Sequence, residues 1–295
     1  MTTTTTTGSA GAHQSLNFVQ AGKHRVCFAE GGDDGDPNKP KVLIGHGWIA
    51  SHKLYRKVWP ELAKLCHYRA VDLVGFGDSD KPDPATTPYT PAWYGEQLEA
   101  FLDATGWQSC TVLSQSMGGL AAIELAIRAP KRVDKLILLD SAGIARPPPL
   151  LGKILQTPVI GEFIYKLAGA TRGNLRNFLR DDVYHDASTI EESTLDEMLR
   201  VLNLPGGKNA AYATMMRMVA PKSVERFTPR LREVQVPTRL IWGAGDKLFP
   251  VEQCAKEMQK LIAGSTLEVI ANTGHEPCVE TPAAFIAAFE RALKN

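Results

Sequence analysis

From about residue 40 onward, short apolar runs alternate with longer segments of helical spacing, and this alternation constrains the fold more than any single motif. The runs at Lys41–Ile44, Tyr68–Val74, Ser109–Leu113, Val133–Leu139, Thr238–Trp242 and Thr266–Ile270 read as buried strands. Helical stretches at about Leu54–Leu65, Pro91–Thr105, Met117–Ala129, Val251–Leu261 and Pro282–Leu293 fill most of the gaps. Parallel neighbours need crossovers of that length, so the pattern predicts an α/β chain with a largely parallel sheet between helices. Two further runs, Leu16–Gln20 and His24–Glu30, are joined by a tight Ala-Gly-Lys turn and predict an antiparallel hairpin. The segment GGDDGDPNKP then breaks the chain.

One gap does not fit the alternation. The stretch from Asp140 to Thr238 is far too long for an unstructured loop. It opens with the stiff run RPPPLL, and its later content, ILQTPVIGEFIYKLAG, NLRNFLR, STLDEMLRVL and NAAYATMMRMV, is apolar at helical spacing. The expectation is a helical cap over residues 146–230, inserted into a core made of residues 15–145 and 231–295. Phe163, Tyr165, Phe178, Tyr212, Met215, Met216 and Met218 are its candidate pocket liners, although helical packing within the cap accounts for most such residues equally well.

Composition narrows the partners. Apolar residues make up 44% and charged residues 22% of the chain, and the net charge is +1, so no global field draws the protein to nucleic acid or to an anionic membrane. A small-molecule substrate fits better. Five scattered cysteines without C-x-x-C spacing argue against a disulfide framework or a zinc site and suit a reducing, cytoplasmic setting. No apolar run reaches the roughly 20 residues that span a bilayer. The N-terminal MTTTTTTGSAGAHQ has neither the apolar core of a secretory signal nor the arginines of a transit peptide, and residues 1–14 are read as a disordered tail. Oligomeric state cannot be read from the chain.

The chemistry is concentrated in VLSQSMGGLAAIELA, a strand-like run that passes through a small-x-Ser-x-Gly turn straight into an alanine-rich helix. Such a turn exposes the serine, Ser116, at its apex, and it requires small residues at 114 and 118 because strand and helix backbones come close. A helix N-terminus beside the hydroxyl also offers N–H groups to a developing oxyanion. A hydroxyl of high pKa needs a base, and the base needs an orienting carboxylate. Asp246, closing RLIWGAGD, and His275, in LEVIANTGHEP, follow in that order just past two predicted strands, where catalytic groups gather in open α/β sheets. Asp140, ending KLILLD, is a rival for the carboxylate. Cys278 lacks a strand-turn-helix context and reads as packing. Asp78 and Ser79 read as turn formers, and His46 as a residue that holds its turn.

Taken together, HGW, DLVGFGDSDKP, SQSMGG, WGAGDKLFP and NTGHEP resemble the α/β-hydrolase superfamily, especially its epoxide hydrolase and haloalkane dehalogenase-like branch. The resemblance runs from about Leu16 to Leu293 and is weak across the inserted segment. It implies the α/β-hydrolase fold, a mostly parallel eight-stranded sheet flanked by helices with a helical cap. It also implies an oxyanion hole made by the backbone N–H groups of Trp48 and Met117, with the Trp48 side chain lining the substrate pocket. Members of that branch are known for an aspartate nucleophile, whereas this chain has Ser116. The implied chemistry is therefore acyl transfer through Ser116, His275 and Asp246 without metal or organic cofactor, most simply hydrolysis of an ester of a small, largely apolar substrate. A C–C bond hydrolase, a non-hydrolytic enzyme of the same fold, a slow-turnover ligand receptor and a scaffold with a vestigial site are the alternatives.

Overall fold

The structure, a computed structural model, describes residues 15–146, 165 and 171–294. The expected tail, Phe163 and the first part of the expected cap lie outside the described residues.

Eight strands form one sheet in the order β1-β2-β4-β3-β5-β6-β7-β8: β1 (Ser15–Ala21), β2 (His24–Gly31), β3 (Lys41–Gly45), β4 (His67–Val71), β5 (Cys110–Gln115), β6 (Val133–Leu139), β7 (Thr238–Gly243) and β8 (Thr266–Ile270). Only β2 runs against the others, pairing antiparallel with β1 and β4, while β4 through β8 are joined by parallel ladders. Every residue of β5 is buried, as befits a central parallel strand covered on both faces.

The helices that cross between strands are α1 (Trp59–Leu65), α2 (Pro91–Ala104) and α3 (Met117–Arg128). Helix α3 packs on β5 and β6 and against α2, and Met117 through Ala126 are all buried, which is why this helix is built from alanine, glycine and leucine. The predicted helix over Leu54–Leu65 is divided. A 3-10 turn at His52–Tyr55 precedes α1, which restarts so that Pro60 falls in its first turn, where the missing N–H costs nothing.

Between β6 and β7 the described residues include α4 (Arg172–Phe178), continued by a π turn at Leu179–Val183, then α5 (Glu192–Asn203), α6 (Gly207–Thr214) and α7 (Pro221–Phe227). After β7 come α8 (Ala255–Leu261), α9 (Pro277–Glu280) and α10 (Pro282–Lys294). Helix α8 starts four residues later than the sequence pattern suggests, because residues 251–254 form turns on the Pro250 carbonyl. No helix among the described residues is long and apolar enough to cross a membrane.

The chain leaves β3 toward β4 on one side and leaves β5 toward β6 on the other. β3 and β5 are neighbours in the sheet. Connections that diverge in this way open a crevice at the carboxyl ends of the two strands, the usual place for a ligand in an α/β sheet.

Candidate active site

Ser116 is the single residue between β5 and α3. Its backbone, at φ 53° and ψ −122°, is one that a residue with a side chain rarely adopts, at a cost of about 1–3 kcal/mol. Neighbouring backbone holds it there: Ser116 N–H donates to the Leu139 carbonyl, and Ala142 N–H donates to the Ser116 carbonyl, both at 3.0 Å. The requirement for small neighbours is met with little to spare. A Cβ on Gly118 would strike the His46 carbonyl oxygen and Ser114 Oγ, and a Cβ on Gly45, paired with Ser114 across the β3–β5 ladder, would also strike Ser114 Oγ.

Ser116, His275 and Asp246 meet at the carboxyl ends of β5, β8 and β7. Ser116 Oγ lies 2.8 Å from His275 Nε2, and His275 Nδ1 lies 2.8 Å from Asp246 Oδ2. The other Asp246 oxygen accepts the Phe249 N–H at 2.9 Å. All three residues are buried. Burial alone would lower the His275 pKa, but the charge and hydrogen bond of Asp246, aided by Glu276 and Glu280, outweigh it and hold the imidazole above its ordinary 6.5. The rival Asp140 does not reach His275 Nδ1 in place of Asp246; its Oδ1 accepts the Gly243 N–H at 2.8 Å. Cys278 is fully buried, and its thiol faces the Leu54 carbonyl.

Trp48 follows the carboxyl end of β3, and the β-branched Ile49 after it sits at φ 55°, a further strained position. The Trp48 indole N–H donates to the Ala211 carbonyl of α6 at 2.8 Å, and its ring contacts those of Tyr165 and Phe178. Tyr165 in turn contacts Tyr212, whereas Met218 is fully enclosed and packs as core. Tyr212 and Met216 also line a cavity of about 360 Å³ with Asp83, Asn209 and Arg217, which none of Ser116, Asp246 and His275 borders. His46 holds its turn as expected: Nδ1 pairs with the Gly47 carbonyl at 2.7 Å and Nε2 accepts the Leu73 N–H at 3.0 Å.

Several contributors left no local trace in the sequence. The Gln115 side-chain amide donates to the His275 carbonyl at 3.0 Å, linking the serine turn to the histidine loop. Asp72, fully buried, accepts from the His52 N–H, His52 Nδ1 and the Asp78 N–H, and so organises the GFGDSD turn. Asp78, read as a turn former, also pairs with Arg200 of α5. Ser79 fits its expected role, its hydroxyl accepting the Cys27 N–H and donating to the Asp72 carbonyl. Two clusters among the described residues have metal-ligand side chains: Cys27 with His52 and Asp72, and Asp140 with Asp246 and His275. In the second, both His275 nitrogens are already engaged. In the first, burial and the Asp72 charge keep the Cys27 thiol protonated. Hydrogen bonding accounts for both.

Residues 40–282 match the family described as the alpha/beta hydrolase fold. The chain belongs to the α/β-hydrolase family. Among α/β-hydrolase relatives, it is 26% identical to a pimeloyl-(acyl-carrier protein) methyl ester esterase of Neisseria meningitidis, over 84% of this chain and 91% of the other. Solved α/β-hydrolase structures superpose over almost its full length. The 2-hydroxy-6-oxo-6-phenylhexa-2,4-dienoate hydrolase of Rhodococcus sp. strain RHA1 has a TM-score of 0.80 at 22% identity, covering 96% of this chain and 100% of the other. The epoxide hydrolase CorEH has a TM-score of 0.79 at 21% identity, covering 96% and 99%.

Proposed function

We propose that the protein is a serine hydrolase that cleaves an ester or related acyl bond of a small, largely apolar molecule. The observation that carries this reading is the unbroken hydrogen-bonded chain from Ser116 Oγ through His275 to Asp246, with both links at 2.8 Å. His275 Nε2 takes the hydroxyl proton as Ser116 Oγ attacks the substrate carbonyl, and Asp246 steadies the imidazolium. The proton then passes to the leaving alcohol. In the second half His275 takes a proton from water, hydroxide attacks the acyl-enzyme, and the acid leaves as Ser116 is restored.

The oxyanion is received by the N–H groups of Met117 and Trp48. Met117 opens α3, so its N–H is one of the helix's first four, which have no intrahelical acceptor. The segment inserted between β6 and β7 serves as the cap, and its Tyr165, Phe178 and Tyr212 cluster with Trp48 of the core into an aromatic group suited to an apolar substrate. The methyl ester esterase relative supports ester chemistry.

The test is incubation with a fluorophosphonate, followed by intact mass, with Ser116→Ala as control. One adduct on the wild type and none on the variant is the expected result, followed by turnover of short-chain activated esters. A folded wild type that takes no adduct and turns over no ester would overturn the reading.

A further inference from the structure

Asp140, just past the end of β6, is a buried carboxyl that the chemistry above leaves unused. It has no exposed surface, and its backbone sits at φ 42°, a conformation that rarely persists unless the surroundings enforce it. Leu139, immediately before it, and Ala142, two residues after it, are the residues that grip Ser116. Its own N–H donates to the Ile241 carbonyl at 3.0 Å, and Oδ1 accepts the Gly243 N–H. Oδ2 is buried and has no partner. An oxygen of Asp140, an oxygen of Asp246 and a ring nitrogen of His275 lie within 4.8 Å of one another.

A turn-holding role explains Oδ1 and leaves Oδ2 unexplained, since a buried polar atom without a partner is costly. The titratable groups around Asp140 are Asp246 and His275, with Glu280 and Cys278 on α9 and Tyr55 on the 3-10 turn before α1. None of them is a lysine or an arginine. Two carboxyls this close in a buried site do not both stay ionised. Asp246 already accepts from His275 and Phe249, so it keeps the charge and the proton falls to its neighbour.

We propose that Asp140 is a neutral carboxylic acid whose Oδ2–H donates to Asp246, making it a positioning residue that holds Asp246 in line with His275. This inference rests on the serine-hydrolase reading. It gives Asp140 a role unlike that of a rival orienting carboxylate, because it acts as a donor and carries no charge.

The experiment compares Asp140→Asn and Asp140→Ala with the wild type by the pH dependence of Ser116 phosphonylation, together with the infrared band of a protonated carboxyl. Asparagine can accept from Gly243 and donate to Asp246, so D140N is expected to retain the acid limb of the profile and to recover the rate that D140A loses, about tenfold to a hundredfold. D140A, which leaves Asp246 without its donor, is expected to move the acid limb to higher pH. Because the Glu280 carboxyl is also protonated up to about pH 7, the band is read well above that pH as the wild type minus D140N difference, where it is expected to be present. An acid limb that falls in D140N would mean that a negative charge had been removed, and would overturn the proposal. So would a D140A enzyme with wild-type rate and profile, or a difference spectrum without the band. If D140A does not fold, D140N and the band still decide. If Ser116 takes no adduct in any form, the serine-hydrolase reading fails by itself, while the band separately settles where the proton lies.

Discussion

The backbone N–H of His275 donates to the carbonyl oxygen of Val183 at 2.8 Å, so the loop that brings the imidazole to Ser116 is held by the segment inserted between β6 and β7. The contact is not isolated. Tyr184 OH reaches Glu276 at 3.0 Å, Lys247 Nζ reaches the Tyr184 carbonyl at 3.1 Å, and Glu280 accepts the His185 and Gly274 N–H groups at 2.7 and 2.9 Å.

Glu280 makes this junction sensitive to pH. Burial pushes its carboxyl up to about 7, against the relief offered by the N–H groups it accepts. An acid whose pKa is higher folded than unfolded costs stability as pH rises from its ordinary 4.5 toward that value. Glu280→Gln is uncharged throughout, so its Tm relative to wild type is expected to climb between pH 4.5 and 7 and then level off. A constant difference across thermal melts in that range would show that Glu280 does not titrate there.

The rate should carry the signature of His275. Because Asp246 holds the imidazole above 6.5, hydrolysis is expected to fall as pH drops through a midpoint above that value, where His275 becomes protonated and cannot accept from Ser116. Asp246→Asn is expected to lower kcat by about 10⁴-fold and to shift the midpoint down. A profile flat through this region would leave the proposed base without support.

Trp48→Phe keeps an aromatic ring and removes the indole donor to Ala211. A loss of about 1 kcal/mol is expected in chemical denaturation, since the Ala211 carbonyl is left without that partner. KM should rise more than kcat falls, because the bond sets the Trp48 side chain and not its amide. Unchanged KM would separate the ring from the substrate pocket.

Asp72 should matter for stability and not for chemistry. Burial alone would raise its pKa, but the charge and hydrogen bond of His52, with His46 and the Asp78 amide, hold it at about 2. Since it is depressed below 3.8, it contributes stability that is present above that pH and lost as pH falls through about 2. Asp72→Ala strands the His52 and Asp78 donors and is expected to cost about 3–5 kcal/mol in urea unfolding.

The fold was legible because crossover length and apolar runs are local properties of a sequence, and β3 through β7 carry both; β8, expected to be buried, is an edge strand in which only Ile270 is buried and Val269 is exposed. Ser116 was legible for a related reason: its turn demands small residues at fixed offsets. His275 and Asp246 came from order and from their place at strand ends. Gln115, Asp72 and Val183 did not come through, because each acts on a partner distant in sequence, and a hydrogen bond to a remote group imposes no period on the chain. Pro60 could have marked the break before α1, as a helix interior cannot hold it.

Ser114 occupies a volume that it shares with two other residues. Its hydroxymethyl group takes the room that a side chain at Gly45 would need, and it closes one side of the space beside Gly118. Bulk at 45 and 114 is therefore exchangeable: a glycine at 114 would allow an alanine at 45. Position 118 has no such freedom, because the His46 carbonyl blocks it from the other side. Among descendants of this chain, residues 45 and 114 should drift as a compensating pair while residue 118 stays fixed.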